Sequence, residues 1–356
     1  MTPLEMPDEI EGISVGGDNP LIIDPSVPPT AENVGKFCVD STGKMYQIRQ
    51  SDGNTWHRMS PISDGSYIDN LKHIAYGNGV IVVSGSRNTT NSVLYYSEDG
   101  GDTWHAGSTI VDYSVGGLTF GGGYFVRAMG SRYSTSSGTT FYKSSDGKNW
   151  TDAGSHSWGK ATDICYGNGT YVDRAYYDSS KPNIGYSTNL SSWNLVNSDL
   201  GGEGKVAYGN GIFVATGYTV VSTSVDGRSW SDNKTVFQPS NYISGIAYGN
   251  GMFVVTGYNG ESAYSTDGTT WTAISGFQGR GESIAYGGGR FVCINTEGKS
   301  YYLDNTSSWA EMEGQLTHPR DIAYCGNYMV AIGDDGSLSK TVSVGTYYYE
   351  PLRLDD

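Results

Sequence analysis

The sequence predicts an all-β protein: a seven-bladed β-propeller closed by strands from its two ends and preceded by an extended N-terminal arm. The first observation is a recurring unit, complete at Ile246-Ala-Tyr-Gly-Asn-Gly-Met-Phe-Val-Val-Thr-Gly and Tyr264-Ser-Thr-Asp-Gly-Thr-Thr-Trp271. It reads as two apolar strands joined by an Asn250-Gly251 turn, a third strand ending at Ser265, and a Trp-bearing fourth strand after Asp267-Gly268. The second is its period. The aromatic residue of the first strand returns at Tyr76, Phe120, Tyr166, Tyr208, Tyr248, Tyr286 and Tyr324, in steps of 38 to 46 residues. The tryptophan returns at Trp56, Trp104, Trp150, Trp193, Trp230, Trp271 and Trp309, in steps of 37 to 48. Four strands in roughly 40 residues make a propeller blade, whereas helical repeats of that length would carry an apolar period of about 3.6 residues, which is absent. The third is an offset between the two series: tryptophan starts first and tyrosine ends last. Seven first strands and seven fourth strands therefore make seven blades only if the N-terminal segment supplies the outer strand of the blade running from Arg320 to Lys340. Such a closing blade removes the open sheet edge.

Taken in order, residues 1–35 are acidic and rich in proline (Pro3, Pro7, Pro20, Pro25, Pro28, Pro29), and residues 1–30 show no strand or helix period. They read as an extended arm that docks onto a partner, or as a disordered tail. The propeller is expected over 36–350. Lys36-Phe-Cys-Val-Asp, a Ser41-Thr-Gly turn and Lys44-Met-Tyr-Gln-Ile form a hairpin, and Asp52-Gly-Asn-Thr-Trp56 leads into the closing outer strand. Six complete blades follow, from about His73 to Trp104, Gly117 to Trp150, Asp163 to Trp193, Lys205 to Trp230, Gly245 to Trp271 and Ser283 to Trp309. The seventh starts at Asp321, and residues 351–356 make a short tail. Blades two and three carry the longest excursions, Ser131 to Thr140 and Tyr176 to Asn183.

Composition agrees with this and excludes several functions. The 51 glycines and 28 tyrosines suit short strands alternating with tight turns. A formal charge of −15 with scattered Lys and Arg argues against binding nucleic acid through its phosphates, which needs a basic stripe. No apolar run approaches the roughly 20 residues of a membrane span, and the N-terminus lacks the basic region and apolar core of a secretory signal. Synthesis in the cytoplasm is expected, with exit as part of a particle released by lysis. Cys38, Cys165, Cys293 and Cys325 show no C-x-x-C spacing and read as small buried hydrophobes. No metal and no cofactor are expected.

The turn before each tryptophan has its own chemistry. Ser97-Glu-Asp-Gly-Gly-Asp-Thr-Trp104 has the full spacing of the Asp box, or BNR repeat, and so resembles the turns of sialidases and many other propellers. Forms one residue shorter stand at Ser144, Asp146 and Trp150, at Ser224, Asp226 and Trp230, and at Ser265, Asp267 and Trp271. Degenerate forms put Asn189 and Asn305 in the Asp place. The Ser and Asp oxygens accept from turn amides, Gly supplies a positive φ, and Trp covers the turn. The role is structural rather than catalytic, because turn aspartates satisfy their own backbone. A calcium ion would need about six to eight oxygens, which an isolated Asp-Gly turn lacks.

A sialidase-like enzyme would also need three arginines converging on a carboxylate and a tyrosine–glutamate nucleophile, and none of the arginines here stands in the Arg-Ile-Pro context that resemblance implies. The remaining constellation lies at the starts of the inner strands, where His73, Asp163, Lys205, Glu282, Arg320 and Asp321 would ring one mouth of the central channel, with Arg127 and Arg174 nearby. The plain reading is charged loop ends in water. Tyr133, Tyr176, Tyr177 and Tyr218 are candidate contacts in Tyr-, Ser- and Gly-rich loops, which suit protein or glycan recognition. Their plain reading is ordinary loop surface. No nucleophile elbow, His/Cys metal spacing or phosphate-cradling glycine loop is present.

The stretch Pro28-Pro-Thr-Ala-Glu-Asn-Val-Gly-Lys-Phe-Cys-Val-Asp-Ser-Thr-Gly-Lys-Met-Tyr resembles the joining segments of tailed-bacteriophage virion proteins, tail fibres and related adsorption proteins. That resemblance implies a virion component anchored by its N-terminal part. The expectation is a non-enzymatic virion structural protein of tail, fibre or head decoration, serving assembly or host attachment. Its partners would be other virion proteins and a host-surface glycan or protein. The alternative is a glycan-binding or sialidase-like propeller outside any virion.

Overall fold

The computed structural model describes residues 9–10, 13–14, 21–22, 37–39, 45–50, 53–62, 69–87, 91–108, 115–130, 138–157, 159–176, 183–304, 307–341 and 347–351. Every regular element among them is a β-strand. They fall into two compact units, one spanning Asn54–Val342 and the other Met1–Gly53 with Ser343–Asp356.

The larger unit is the seven-bladed propeller. Seven four-stranded antiparallel sheets follow one another along the chain. The fifth is representative: Ile243–Gly249, Met252–Gly257, Ser262–Ser265 and Thr272–Ile274. Asn250 (φ 48°) and Gly251 (φ 77°) are both left-handed, the pair that a two-residue type I′ hairpin demands. The second strand is buried along its whole length because strands flank both its edges and neighbouring blades cover both its faces. This is why it reads as an unbroken run, Met-Phe-Val-Val-Thr-Gly. The first strand alternates buried and half-buried positions, with one face turned away from the core.

The aromatic residue of the later first strands sets blade against blade by lying on a glycine of the blade before it. The Tyr248 ring lies on Gly209 of the preceding blade, so close that a Cβ there would overlap the ring. Tyr166 on Gly121, Tyr208 on Gly167, Tyr286 on Gly249 and Tyr324 on Gly287 repeat the contact. Four of these rings, Tyr166, Tyr208, Tyr248 and Tyr286, also tilt against the aromatic residue near the start of their own second strand, as Tyr248 does on Phe253 at 4.8 Å.

The seventh blade joins Pro319–Tyr324, Met329–Gly333 and Leu338–Thr341 to the early strand Trp56–Arg58, with Ser339 opposite Arg58 and Thr341 opposite Trp56. This is the closure the offset series predict. Trp56 is 8% exposed, and its indole N–H donates to Ser300 Oγ of the sixth blade at 2.7 Å. Trp309 does the same to Ser262 Oγ of the fifth blade at 2.9 Å. The closing strand is thus held by a ladder and by a buried indole.

The turns before the tryptophans use their Ser and Asp as the sequence reading requires. Ser265 Oγ donates to Asp267 Oδ1 at 2.9 Å, and the amides of Thr269 and Thr270 donate to the same oxygen at 2.8 and 2.7 Å. Ser97 with Asp99, Ser144 with Asp146 and Ser224 with Asp226 repeat this pairing at 2.7, 2.8 and 3.0 Å. Trp150, Trp230 and Trp271 close their turns by donating to the carbonyls of Gly147, Gly227 and Gly268. Trp104 packs against the cluster that holds Met59 and Tyr95. These bonds hold the four carboxyls below the usual carboxylate range. The amide of Thr270 is the main cause at Asp267, the Thr103 hydroxyl at Asp99 and the Ser229 amide at Asp226. At Asp146 burial pushes upward and the Asn149 and Lys148 donors outweigh it.

The smaller unit holds a four-stranded sheet in the order Leu21–Ile22, Phe37–Val39, Met45–Gln50, Tyr347–Pro351. The hairpin expected from Phe37 to Gln50 is present, with Phe37 opposite Gln47. The sequence reading places this hairpin within the propeller at 36–350; it lies instead in the smaller unit, where Met45–Gln50 pairs with the C-terminal Tyr347–Pro351, Tyr349 opposite Ile48. Within the expected arm, Glu9–Ile10 pairs with Ile13–Ser14, and Leu21–Ile22 runs parallel to Phe37–Val39. Residues 352–356 lie outside the described residues.

Candidate functional site

The residue just before the apolar core of each first strand faces the propeller axis. Read blade by blade, this layer holds His73, Gly117, Asp163, Lys205, Gly245, Ser283 and Asp321. Two of its members fasten neighbouring blades. Asp163 Oδ2 accepts from the Val206 amide of the next blade at 2.9 Å. Asp321 Oδ2 accepts from the Ile74 amide across the closure at 3.0 Å, while its Oδ1 accepts from Ser283 Oγ at 2.7 Å. His73 Nδ1 lies 3.8 Å from Asp321 Oδ2.

Above this layer opens a cavity of about 300 Å³, lined in part by His73, Lys205, Glu282, Arg320 and Asp321. The sequence reading groups these five with Asp163 around one mouth; the structure brings the five together in the cavity wall, and Asp163, outside that wall, interacts electrostatically with Lys205. Burial pushes the Asp163 and Asp321 carboxyls upward, against the pull of Lys205. The Asp321 side chain keeps 21% exposure, so water moderates that rise. Burial opposes the charge of Lys205, and the carboxylates of Asp163, Asp321, Glu282 and Glu203 together outweigh it, raising the ammonium above its ordinary value. Arg320 is spent within the wall. It donates to Asp334 Oδ2 from Nε at 2.9 Å and from Nη2 at 2.6 Å, and to Glu282 Oε1 from Nη1 at 2.9 Å.

Arg127 and Arg174 do not reach the mouth; both are fully buried. Arg174 binds backbone. Its Nε donates to Thr216 O at 2.9 Å, Nη1 to Ala175 O at 2.6 Å and Asn183 O at 2.9 Å, and Nη2 to Leu200 O at 3.1 Å. Burial lowers this guanidinium to about 10, partly offset by Asp173. Arg174 therefore holds the segment through Gly201 and Gly202 from below.

On that segment rests Tyr218, whose ring covers Gly201 and Gly202 so closely that a Cβ at either would meet it. Tyr218 is 47% exposed and Tyr242 is 41% exposed. Their ring centroids stand 4.8 Å apart, and Tyr242 meets Tyr258 edge-on at 5.8 Å. Tyr258 lines the cavity, and Arg280 stacks over it with Cζ 3.9 Å from the ring centroid. An exposed tyrosine ledge thus runs from the fourth and fifth blades into the channel mouth.

Of the four tyrosines the sequence singles out, only Tyr218 joins the ledge. Tyr176 is half-buried, and its amide donates to Lys160 O at 2.7 Å beside the cavity. Tyr133 and Tyr177 lie outside the described residues. Sequence reasoning missed Tyr242, Tyr258, Arg280 and Lys160. A signal for Tyr258 was available: Thr216-Gly217-Tyr218 and Thr256-Gly257-Tyr258 repeat at the same place, the end of the second strand. Nothing in the repeat marks Tyr242 or Lys160, which precede first strands in segments of unequal length.

Part of the chain matches a family model, and its fold has likenesses among solved structures. The family described as the DUF6242 beta propeller domain matches residues 188–325. No curated protein matches the chain. Among solved structures, selenomethionine-substituted virginiamycin B lyase from Staphylococcus aureus is similar with a TM-score of 0.67 at 12% identity, over 81% of this chain and 99% of that one. YCF48 bound to D1 peptide is similar with a TM-score of 0.62 at 15% identity, over 83% and 97%. YCF48 from Cyanidioschyzon merolae follows at 0.58 and 15%, over 81% and 98%. At these identities the likeness concerns the β-propeller fold.

Proposed function

We propose that this chain is a non-enzymatic recognition propeller, carried on a bacteriophage virion through its N-terminal arm, which engages the host surface with the face that bears the channel mouth. One observation carries the recognition reading: the ledge of Tyr218, Tyr242 and Tyr258, three tyrosines in ring contact, two of them more than 40% exposed. Exposed tyrosines offer a large contact area at low entropy cost, and a mouth edged with charged groups supplies direction. The virion context rests on the proline-rich arm and on the resemblance of Pro28 to Tyr46 to virion joining segments.

The sialidase-type reading is opposed by where the arginines go. Arg320 is committed to Glu282 and Asp334, and Arg174 to backbone carbonyls, so neither is free to grip a substrate carboxylate. Two experiments test the proposal. Turnover of a fluorogenic sialoside, abolished by Arg320→Ala, would overturn the non-enzymatic reading. Deleting residues 1–35 should leave the propeller folded and remove the protein from purified particles; unchanged incorporation would refute anchoring through the arm.

A further inference from the structure

The ledge and the mouth together constrain what they can take. The chain carries a formal charge of −15, yet the cavity wall brings Lys72, Lys160, Lys205, Arg280 and Arg320 against only Glu203, Glu282 and Asp321. Several of these charges are accounted for. Arg320 is held by Glu282 and Asp334, and Lys205 sits in the field of Asp163 and Asp321. Lys160 and Arg280 have no carboxylate within ion-pair distance among the described residues, and Glu203 has no cation there. Arg280 keeps the N–H edge of its guanidinium open, because its contact with Tyr258 uses the flat face.

An occupant that suits this wall must do three things. It must bring negative charge to Lys160 and Arg280. It must also offer hydrogen-bond donors to Glu203, which would repel a purely anionic peptide side chain. And it must present successive flat apolar faces to tyrosines stepped 4.8 and 5.8 Å apart along a surface, at tilts of 41° and 71° that suit separate rings rather than one continuous stack. A sugar chain meets the second and third requirements with its hydroxyls and ring faces, and an acidic sugar meets the first.

Building on the recognition reading, we propose that the mouth and ledge bind an acidic oligosaccharide, with one carboxylate-bearing residue in the cavity at Lys160 and Arg280 and the following residues lying along Tyr258, Tyr242 and Tyr218. The cavity of about 300 Å³ is at the lower end of ligand-site volumes, which fits the terminal part of a chain that continues over the ledge.

The test uses the full chain titrated by tryptophan fluorescence and calorimetry with three probes: a galacturonic acid tetramer, an α-linked sialic acid trimer, and neutral maltotetraose. At least one acidic probe should bind saturably, with affinity falling as salt rises, and maltotetraose should not. Tyr242→Ala and Arg280→Gln, both at exposed side chains, should each weaken the acidic probe about tenfold while leaving the melting curve in place. Lys160→Met should weaken it and flatten the salt dependence. Equal binding of maltotetraose, or binding of neither acidic probe, would overturn the acidic-saccharide assignment. A parallel adsorption assay on host cells separates this from the recognition reading. If Tyr242→Ala abolishes adsorption while no saccharide binds, the saccharide inference falls and recognition stands. If saccharide binding is lost and adsorption is unchanged, the recognition reading falls.

Discussion

Arg174 offers a quantitative handle on how the fold supports the ledge. Replacing it with Met keeps the length and apolar stem of the side chain and removes every donor. Four carbonyls within 3.1 Å lose a charged partner: those of Thr216, Ala175, Asn183 and Leu200. Two keep another donor, since Asn183 O also accepts from the Ala175 amide and Leu200 O from Asn183 Nδ2. A hydrogen bond to a charged group is worth about 1.5–3 kcal/mol, and the two acceptors with a second donor should fall near the bottom of that range. Against this stands relief of a buried charge, visible in the lowering of the guanidinium to about 10. The net loss should be about 3 kcal/mol, within the span seen when one partner of a buried charged group is removed. Arg174→Lys should lie between wild type and Met, because an ammonium cannot reach carbonyls spread around a planar fork. Urea unfolding followed by tryptophan fluorescence reads the stability. Limited proteolysis between Leu200 and Lys205 reads the local effect, since that segment loses its support beneath Tyr218. A stability change under about 1 kcal/mol for Arg174→Met, with no new cleavage, would refute the view that this guanidinium organises the face.

Three further outcomes are expected. Gly209→Ala should cost about 2–3 kcal/mol because the Cβ meets the Tyr248 ring, whereas Gly211→Ala, which meets nothing and suffers only its φ of 80°, should cost about 1 kcal/mol; the two are compared by urea midpoint. Trp56→Ala should cost about 3–5 kcal/mol and open the seventh blade first, seen as early hydrogen exchange in Leu338–Thr341, because the indole is buried and bonded to Ser300. The turn aspartates Asp99, Asp146, Asp226 and Asp267 have folded pKa values below their unfolded ones, so their stabilisation is complete above the unfolded value of about 3.9 and fades as pH falls toward the folded values. Asp163 and Asp321 shift the other way, and their contribution is lost as pH rises from about 3.9 through their folded values. Asp267→Asn should therefore flatten the acid limb of the stability profile, and Asp321→Asn should steepen it.

The blade count, the Asn-Gly hairpins, the Ser-and-Asp turns and the closing strand at Trp56 were all legible in the sequence. Each is local chemistry repeated: a turn needs its own residues, and the offset between Tyr and Trp counts strands without any knowledge of their packing. The inner layer of His73, Asp163, Lys205 and Asp321 was legible for the same reason, since equivalent positions in a closed array must converge on one axis. What only the tertiary structure decided is which side chains from different blades meet. Tyr218, Tyr242 and Tyr258 come together from two neighbouring blades, and Arg280 joins them from the segment before the sixth, along a direction that no repeat period encodes. Whether a cation is spent or available is decided in the same way, by neighbours distant in the chain: Arg320 is neutralised by Glu282 and Asp334, Arg174 is enclosed by carbonyls from four segments, and Lys160 lines the cavity. A repeated sequence determines a blade through interactions within it, while a recognition surface is made of the differences between blades, and those acquire meaning only once the ring has closed.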